Sequence, residues 1–183
     1  MTIRHTFALI GTLATLAATP ALAEEFSCTG SVGAVRLDNI FVPDGATCTL
    51  EGTRAEGSVV VGTGATLIAR SIKVNGNVQA EGATRVAISG TTSVGGSVQL
   101  MQGGSISVQR ATIQGSLQME SNNGQISAVR NTIGADLQAF QNTGGVKLNK
   151  NNIDGNLQCK ANSPAPVGEG NRADSKEDQC AAL

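Results

Sequence analysis

A short phrase recurs along this chain every 19 or 20 residues: Gly, a small polar residue, Val or Leu, then Gln. It stands at Gly76–Gln79, Gly96–Gln99, Gly115–Gln118 and Gly155–Gln158, with Ala135 replacing Gly in the copy that ends at Gln138. Gly57-Ser58-Val59-Val60 is a weaker, earlier copy. Such a period is too short for a two-helix repeat and fits one coil of a stacked β-solenoid.

Aligned copies expose apolar columns. Val74, Val94, Ile113, Ile133 and Ile153 precede the phrase by two positions, and Val78, Val98, Leu117, Leu137 and Leu157 lie inside it. A second strand supplies Leu67, Val86, Ile106, Ile126 and Val146. Apolar residues alternate with polar ones within each segment, and β-branched side chains are common, as in half-buried strands. Gly103-Gly104, Asn122-Asn123-Gly124 and Thr143-Gly144-Gly145 recur at one phase. These are expected to be corners with positive φ, where Asn122, Asn142 and Asn162 tolerate left-handed backbone. Stacked side-chain amides of Gln79, Gln99, Gln118, Gln138 and Gln158 are expected to form a hydrogen-bonded ladder.

The predicted fold is all-β: a single right-handed parallel β-helix of about six coils with disulfide-tied end caps. Residues 1–23 read as a signal peptide, with Arg4 before an apolar stretch and Ala21-Leu22-Ala23 before Glu24. That stretch is shorter than a bilayer span, so no stable membrane insertion is expected. Residues 24–56 are assigned to an N-terminal cap and first coil, with Phe26, Phe41 and Pro43 as its plug. Residues 57–158 carry the repeats, and residues 159–183 a C-terminal cap with a non-repetitive Pro164–Gly170 loop.

Composition excludes more than it suggests. The only histidine, His5, leaves with the signal, so no Ser-His-Asp centre or imidazole metal site is available. Neither a metal nor a cofactor is implied. Trp and Tyr are absent and the mature chain keeps only Phe26, Phe41 and Phe140, which weakens both a sugar-binding cleft and a single-stranded nucleic-acid groove, since each usually offers aromatic platforms. The mature chain keeps 12 Lys+Arg against 14 Asp+Glu, a net charge of −2, and nucleic acid is not expected as a partner. Four cysteines in an exported chain indicate disulfides, with three connectivities open. Stacked coils would hold the two ends apart, which favours Cys28–Cys48 and Cys159–Cys180.

Few residues are candidates for chemistry. Arg110, Arg130 and Lys150 recur at 20-residue steps. Cations on neighbouring rungs repel one another unless an anion joins them, so this strip is the candidate site for an acidic glycan or a lipid headgroup. The bland alternative is three side chains splayed into water. Asp136 and Asp154 are the acidic pair a polysaccharide-acting enzyme would use, but Asp136 shares a turn column with Ser116 and Asn156. Thr112 and Thr132 align without extending into a regular array.

The tail Asn156-Leu157-Gln158-Cys159-Lys160, Pro164-Ala165-Pro166, Gly170-Asn171 and Lys176-Glu177-Asp178-Gln179-Cys180 resembles the ending of a group of small exported bacterial proteins. Val42-Pro43-Asp44-Gly45-Ala46-Thr47-Cys48 is similar to their opening. The resemblance implies a secreted β-helix and brings no known activity. In repeat style the chain also resembles bactofilins, polymer-forming cytoplasmic scaffolds. It departs from them in its signal and its expected disulfide-tied caps, and the pattern leaves self-association open. The expected function is therefore a non-catalytic, secreted or periplasmic structural or interaction protein. Its expected partner is an anionic glycan or another envelope component.

Overall fold

The computed structural model describes residues 24–183, and the signal-peptide reading of residues 1–23 lies outside them. The described chain is built of short strands, with no helix among these residues. The first coil is β1 (Glu25–Ser27), β2 (Ser31–Val32) and β3 (Arg36–Leu37); the second is β4 (Asn39–Val42), β5 (Thr47–Glu51) and β6 (Arg54–Ala55). The third is β7 (Val59–Val61), β8 (Thr66–Arg70) and β9 (Lys73–Val74); the fourth is β10 (Val78–Glu81), β11 (Arg85–Ser89) and β12 (Ser93–Val94). Then come β13 (Val98–Met101), β14 (Ser105–Gln109) and β15 (Thr112–Ile113), followed by β16 (Leu117–Glu120), β17 (Ile126–Val129) and β18 (Thr132–Ile133). The seventh coil is β19 (Leu137–Phe140), β20 (Val146–Asn149) and β21 (Asn152–Ile153). The chain ends with β22 (Asn156–Lys160), β23 (Val167–Glu169) and β24 (Ser175–Asp178).

Each strand pairs in parallel with its counterpart one coil away. This gives three sheets of nine, eight and seven strands, called A, B and C after the first, second and third strand of each coil. The register follows the sequence columns: Val78, Val98, Leu117, Leu137 and Leu157 stack in sheet A, and Val86, Ile106, Ile126 and Val146 in sheet B. Because successive side chains point to opposite faces, one set fills the interior and the other meets water. The core is aliphatic along its whole length. About 4.8 Å per rung makes the rod roughly 38 Å long.

There are about eight coils rather than six. The first two coils lack the Gly-x-Val/Leu-Gln phrase, so counting copies of it misses them. Residues 24–56, assigned to a cap and a first coil, form six strands in two coils, and strands within residues 159–183 continue the stack. After the loop around Pro164, Val167–Glu169 pairs with β20, and Ser175–Asp178 pairs with β22. Phe26 does occupy an end, stacking above Ile40 and remaining 37% exposed. Phe41 lies instead in the outward column opposite Val60. At the far end Lys176 faces Leu157 across the ladder, so a charged residue takes the last inward position.

Both disulfides have the expected pairing, Cys28–Cys48 and Cys159–Cys180, with Cα separations of 5.5 and 5.2 Å. All four cysteines are buried in the core, so each bond ties an end coil to its neighbour from within. Such bonds fit an oxidising, extracytoplasmic environment.

The corners work differently from the expectation. Positive φ falls at Gln102, Ser121, Gln141 and Ala161, and the following Asn122, Asn142 and Asn162 are not in that region. These asparagines are buried. In each rung the Asn Oδ1 accepts the backbone N–H and the Nδ2 of the preceding Asn, while its own Nδ2 donates to a core-strand carbonyl. Gln179 ends this ladder. A second ladder, Asn131, Asn151 and Asn171, holds the next corner in the same way. Buried amides that satisfy every polar group around them lock a corner better than a residue chosen for its backbone freedom.

Candidate functional site

The basic strip is real as an arrangement. Arg110, Arg130 and Lys150 directly follow β14, β17 and β20, at the corner where sheet B turns to sheet C. All three are exposed, with φ of 54°, 56° and 54°. The same corner position is Gly52, Gly90 and Gly170 in other coils. Left-handed backbone favours Gly, and a residue with Cβ costs about 1–2 kcal/mol there. The corner therefore does not require long cations, yet three successive coils carry them. The stem of Lys150 lies along the next rung, its Cγ close to Gly170.

A second basic row, which the sequence columns had not drawn out, gives a useful contrast. Arg36, Arg54 and Lys73 stack on successive rungs of sheet C. There the protein supplies its own counter-charge: Glu56 Oε1 lies 3.1 Å from Arg36 Nε and 2.6 Å from Arg54 Nε. Arg54 donates a hydrogen bond to Glu56 and holds its carboxyl below the ordinary value, with the charges of Arg36 and Arg54 and a bond from Asn75 adding to the effect. On sheet B, Arg70 is paired with Glu51. These are the ion pairs among the described residues. Arg85, Arg110, Arg130, Lys147 and Lys150 take part in none of them.

Two of these cations, Arg85 and Lys147, line one groove, and Arg110, Arg130 and Lys150 are not among its lining residues. The groove has a volume of about 620 Å³ and runs over the outer face of sheet B. Its floor is two columns along the rod axis, Arg85–Ser105–Gln125–Gly145 and Ser107–Ser127–Lys147–Val167. Pro164 and Ala165 form a wall, with Pro164 standing over Gly145, which has no side chain to obstruct it. Gln109 Nε2 donates to Ser107 Oγ at 2.9 Å, leaving that hydroxyl's proton free for another acceptor. Acids lie on outward positions of sheet A (Glu81, Glu120 and Glu177) and also on sheet B (Glu51 and Glu169), Glu169 one rung beyond Asn149.

Sequence reasoning missed this groove. Its signal was the outward set Ser105, Ser107, Gln125 and Ser127, which alternates with the core residues Ile106 and Ile126. The wall was also hidden, because the Pro164 loop looks non-repetitive until it is seen to sit on the sheet.

The other candidates are occupied in holding coils together. Asp136 belongs to the turn column Asn39, Ser58, Asn77, Ser97, Ser116, Asp136, Asn156, in which each side chain from Asn39 to Asp136 accepts the backbone N–H of the next coil and Asn156 accepts from the Ser175 hydroxyl. Its Oδ1 accepts from Asn156 N at 2.8 Å. Asp154 is exposed at a turn, and neither aspartate lines the groove. The Gln column is a directional ladder: each Nε2 donates to the next Oε1 from Gln79 to Gln158, at 2.8–2.9 Å. It ends on the carboxylate of Glu177, which also accepts from Ser175 Oγ. The bonds from Gln158 and Ser175 hold that carboxyl below its ordinary value.

No cluster of three or more metal-ligating His, Cys, Asp or Glu side chains occurs among the described residues. No helix among them is long and apolar enough to cross a membrane. No protein-family model, curated protein or solved structure matches the chain.

Proposed function

We propose that this chain is an exported, non-catalytic interaction module that engages an anionic component of the cell envelope or extracellular space. Its secretion or periplasmic residence follows from the signal-like residues 1–23 and agrees with the two disulfides. One observation carries the reading: no member of the Arg110–Arg130–Lys150 row takes part in an ion pair, whereas the Arg36–Arg54 row is bridged by Glu56. Like charges on adjacent rungs raise the energy of the unliganded protein. An external anion relieves that repulsion, and the relief adds to its affinity.

Rigidity suits the role. Amide ladders, a continuous aliphatic core and two internal disulfides hold the cations at fixed rung spacing, so little ordering entropy is lost on binding. The test is retention on an immobilised acidic polysaccharide as salt is raised. The mature protein should elute late at low ionic strength and early near 0.1 M and above, where the Debye length falls to about 10 Å. The Arg110→Ala/Arg130→Ala/Lys150→Ala variant should pass through unretained. Equal retention of this variant and the wild type would sink the proposal.

A further inference from the structure

We infer that Asn123 is a site of spontaneous covalent modification: its side-chain amide is lost through a cyclic imide with the Gly124 nitrogen, leaving Asp or isoaspartate at one corner of the rod. This inference stands apart from the interaction-module reading and uses none of its residues.

The chemistry needs three things. The residue after the asparagine must leave its nitrogen open, which Gly does best because it has no Cβ. That nitrogen must be free of a hydrogen bond, since a bonded N–H has to give up its partner before it can attack. The asparagine side chain must also be free to swing toward it. Asn or Asp precedes Gly four times in the chain, at Asp44-Gly45, Asn75-Gly76, Asn123-Gly124 and Asp154-Gly155. In three of these pairs the nitrogen is tied. Gly45 N–H donates to the Thr63 carbonyl at 2.9 Å, Gly76 to Gly57 at 2.8 Å and Gly155 to Ala135 at 3.1 Å. Asn75 is held a second time, for its Nδ2 donates to Glu56 Oε2 at 2.6 Å. Gly124 N–H has no acceptor among the described residues, and the exposed Asn123 side chain makes no hydrogen bond to any of them.

The fold itself creates the labile pair. A Cβ on residue 124 would lie 2.5 Å from Gly104 C and Ser105 N, so stacking on the neighbouring coil demands Gly there. Nothing comparable demands Asn at 123. The next coil places Thr143 before Gly144 at the same phase, and Thr143 N–H donates to the Asn122 carbonyl as Asn123 N–H does to Gly103. In the reaction the Gly124 nitrogen attacks Asn123 Cγ, the bond from Cγ to the side-chain nitrogen breaks, and that nitrogen leaves as ammonia with the Gly124 proton. Water then opens the imide at either carbonyl. One opening gives Asp; the other gives isoaspartate, whose main chain runs through Cβ and is one atom longer. The extra atom falls between Asn122, in the buried ladder, and Ile126, at the buried start of β17.

The oxidised mature protein is held in warm, mildly alkaline buffer and sampled over time by peptide mapping with mass spectrometry. A portion reduced and unfolded in guanidinium chloride is the reference. In the folded protein Asn123 should convert at least tenfold faster than Asn75. That ratio is about 1.4 kcal/mol of barrier, the scale of the one backbone bond that Gly76 must give up. In the unfolded chain neither pair is held, and the two rates should converge. Asn123→Thr should abolish conversion at this corner and keep the wild-type urea midpoint. The isoaspartate product, once separated, should have a lower midpoint than the Asp product. Asn75 reacting as fast as Asn123 in the folded protein would overturn the inference. So would an Asn123 that stays intact for the time the unfolded chain takes to convert fully. Equal midpoints for the two products would overturn the argument from the longer backbone.

Discussion

Asn142 offers the sharpest test of how this rod is held. Its side chain is fully buried. Oδ1 accepts from the backbone N–H and from Nδ2 of Asn122, both at 3.0 Å. Its Nδ2 donates to the Met119 carbonyl and to Asn162 Oδ1, both at 2.9 Å. Asn142→Ala removes all four bonds and strands two donors of Asn122 in a dry corner. At about 1–3 kcal/mol per orphaned group, the expected cost is about 4 kcal/mol, a large share of the ~5–15 kcal/mol that stabilises a domain. Asn142→Asp keeps the shape but loses the donor. Its carboxylate would face two acceptors, so at neutral pH it should cost at least as much as Ala. Burial raises the folded-state pKa of such an Asp, so stability should recover as pH falls through that raised value. Urea unfolding followed by far-ultraviolet circular dichroism measures both costs, and hydrogen exchange at the Asn122 amide reports the corner itself. Asn171→Ala, in the last rung of the other ladder, removes three bonds and strands the equivalent two donors of Asn151, so its cost should be close to that of Asn142→Ala. An Asp variant as stable as wild type at neutral pH would refute the ladder argument, as would an Ala cost below about 1 kcal/mol.

Replacing Cys28 and Cys48 together by Ser should cost about 3 kcal/mol, the loop-closure value for a ring of this size, read as a lower urea midpoint. Peptide mapping of the oxidised protein should recover the 28–48 and 159–180 links, and any cross-pairing would contradict the stack. The Glu177 carboxyl should titrate, by nuclear magnetic resonance, below the ordinary glutamate value of about 4.3. Because its folded pKa is depressed, its contribution is present above the ordinary value and is lost as pH falls through the folded one. A titration midpoint at or above the ordinary value would show that the Gln ladder does not end on this carboxylate.

Period and alternation determined the coil. Gly-x-Val/Leu-Gln every 19–20 residues names the stacking partners, because a 4.8 Å ladder allows only matched rungs to pair. The same logic made the Gln ladder, the Asp136 turn column and both disulfide pairings legible, since each joins residues about one coil apart. The first two coils escaped because they do not carry the phrase, and at the two ends of sheet A Phe26 and Lys176 stand where Val and Leu stand elsewhere.

Only the tertiary structure decided what depends on the path around a corner. Asn122 and Ser121 are neighbours in sequence, yet Ser121 takes the left-handed backbone while Asn122 turns inward to become a buried strut. The choice is made by unpaired backbone groups of adjacent coils, which no single repeat contains. The groove and its cations have the same origin. Ser107, Ser127, Lys147 and Pro164 come from four different coils, and whether Arg130 has a counter-charge depends on which of three faces each acid occupies. A repeat specifies its rung, whereas the partners of an outward side chain are set by folding around the rod axis.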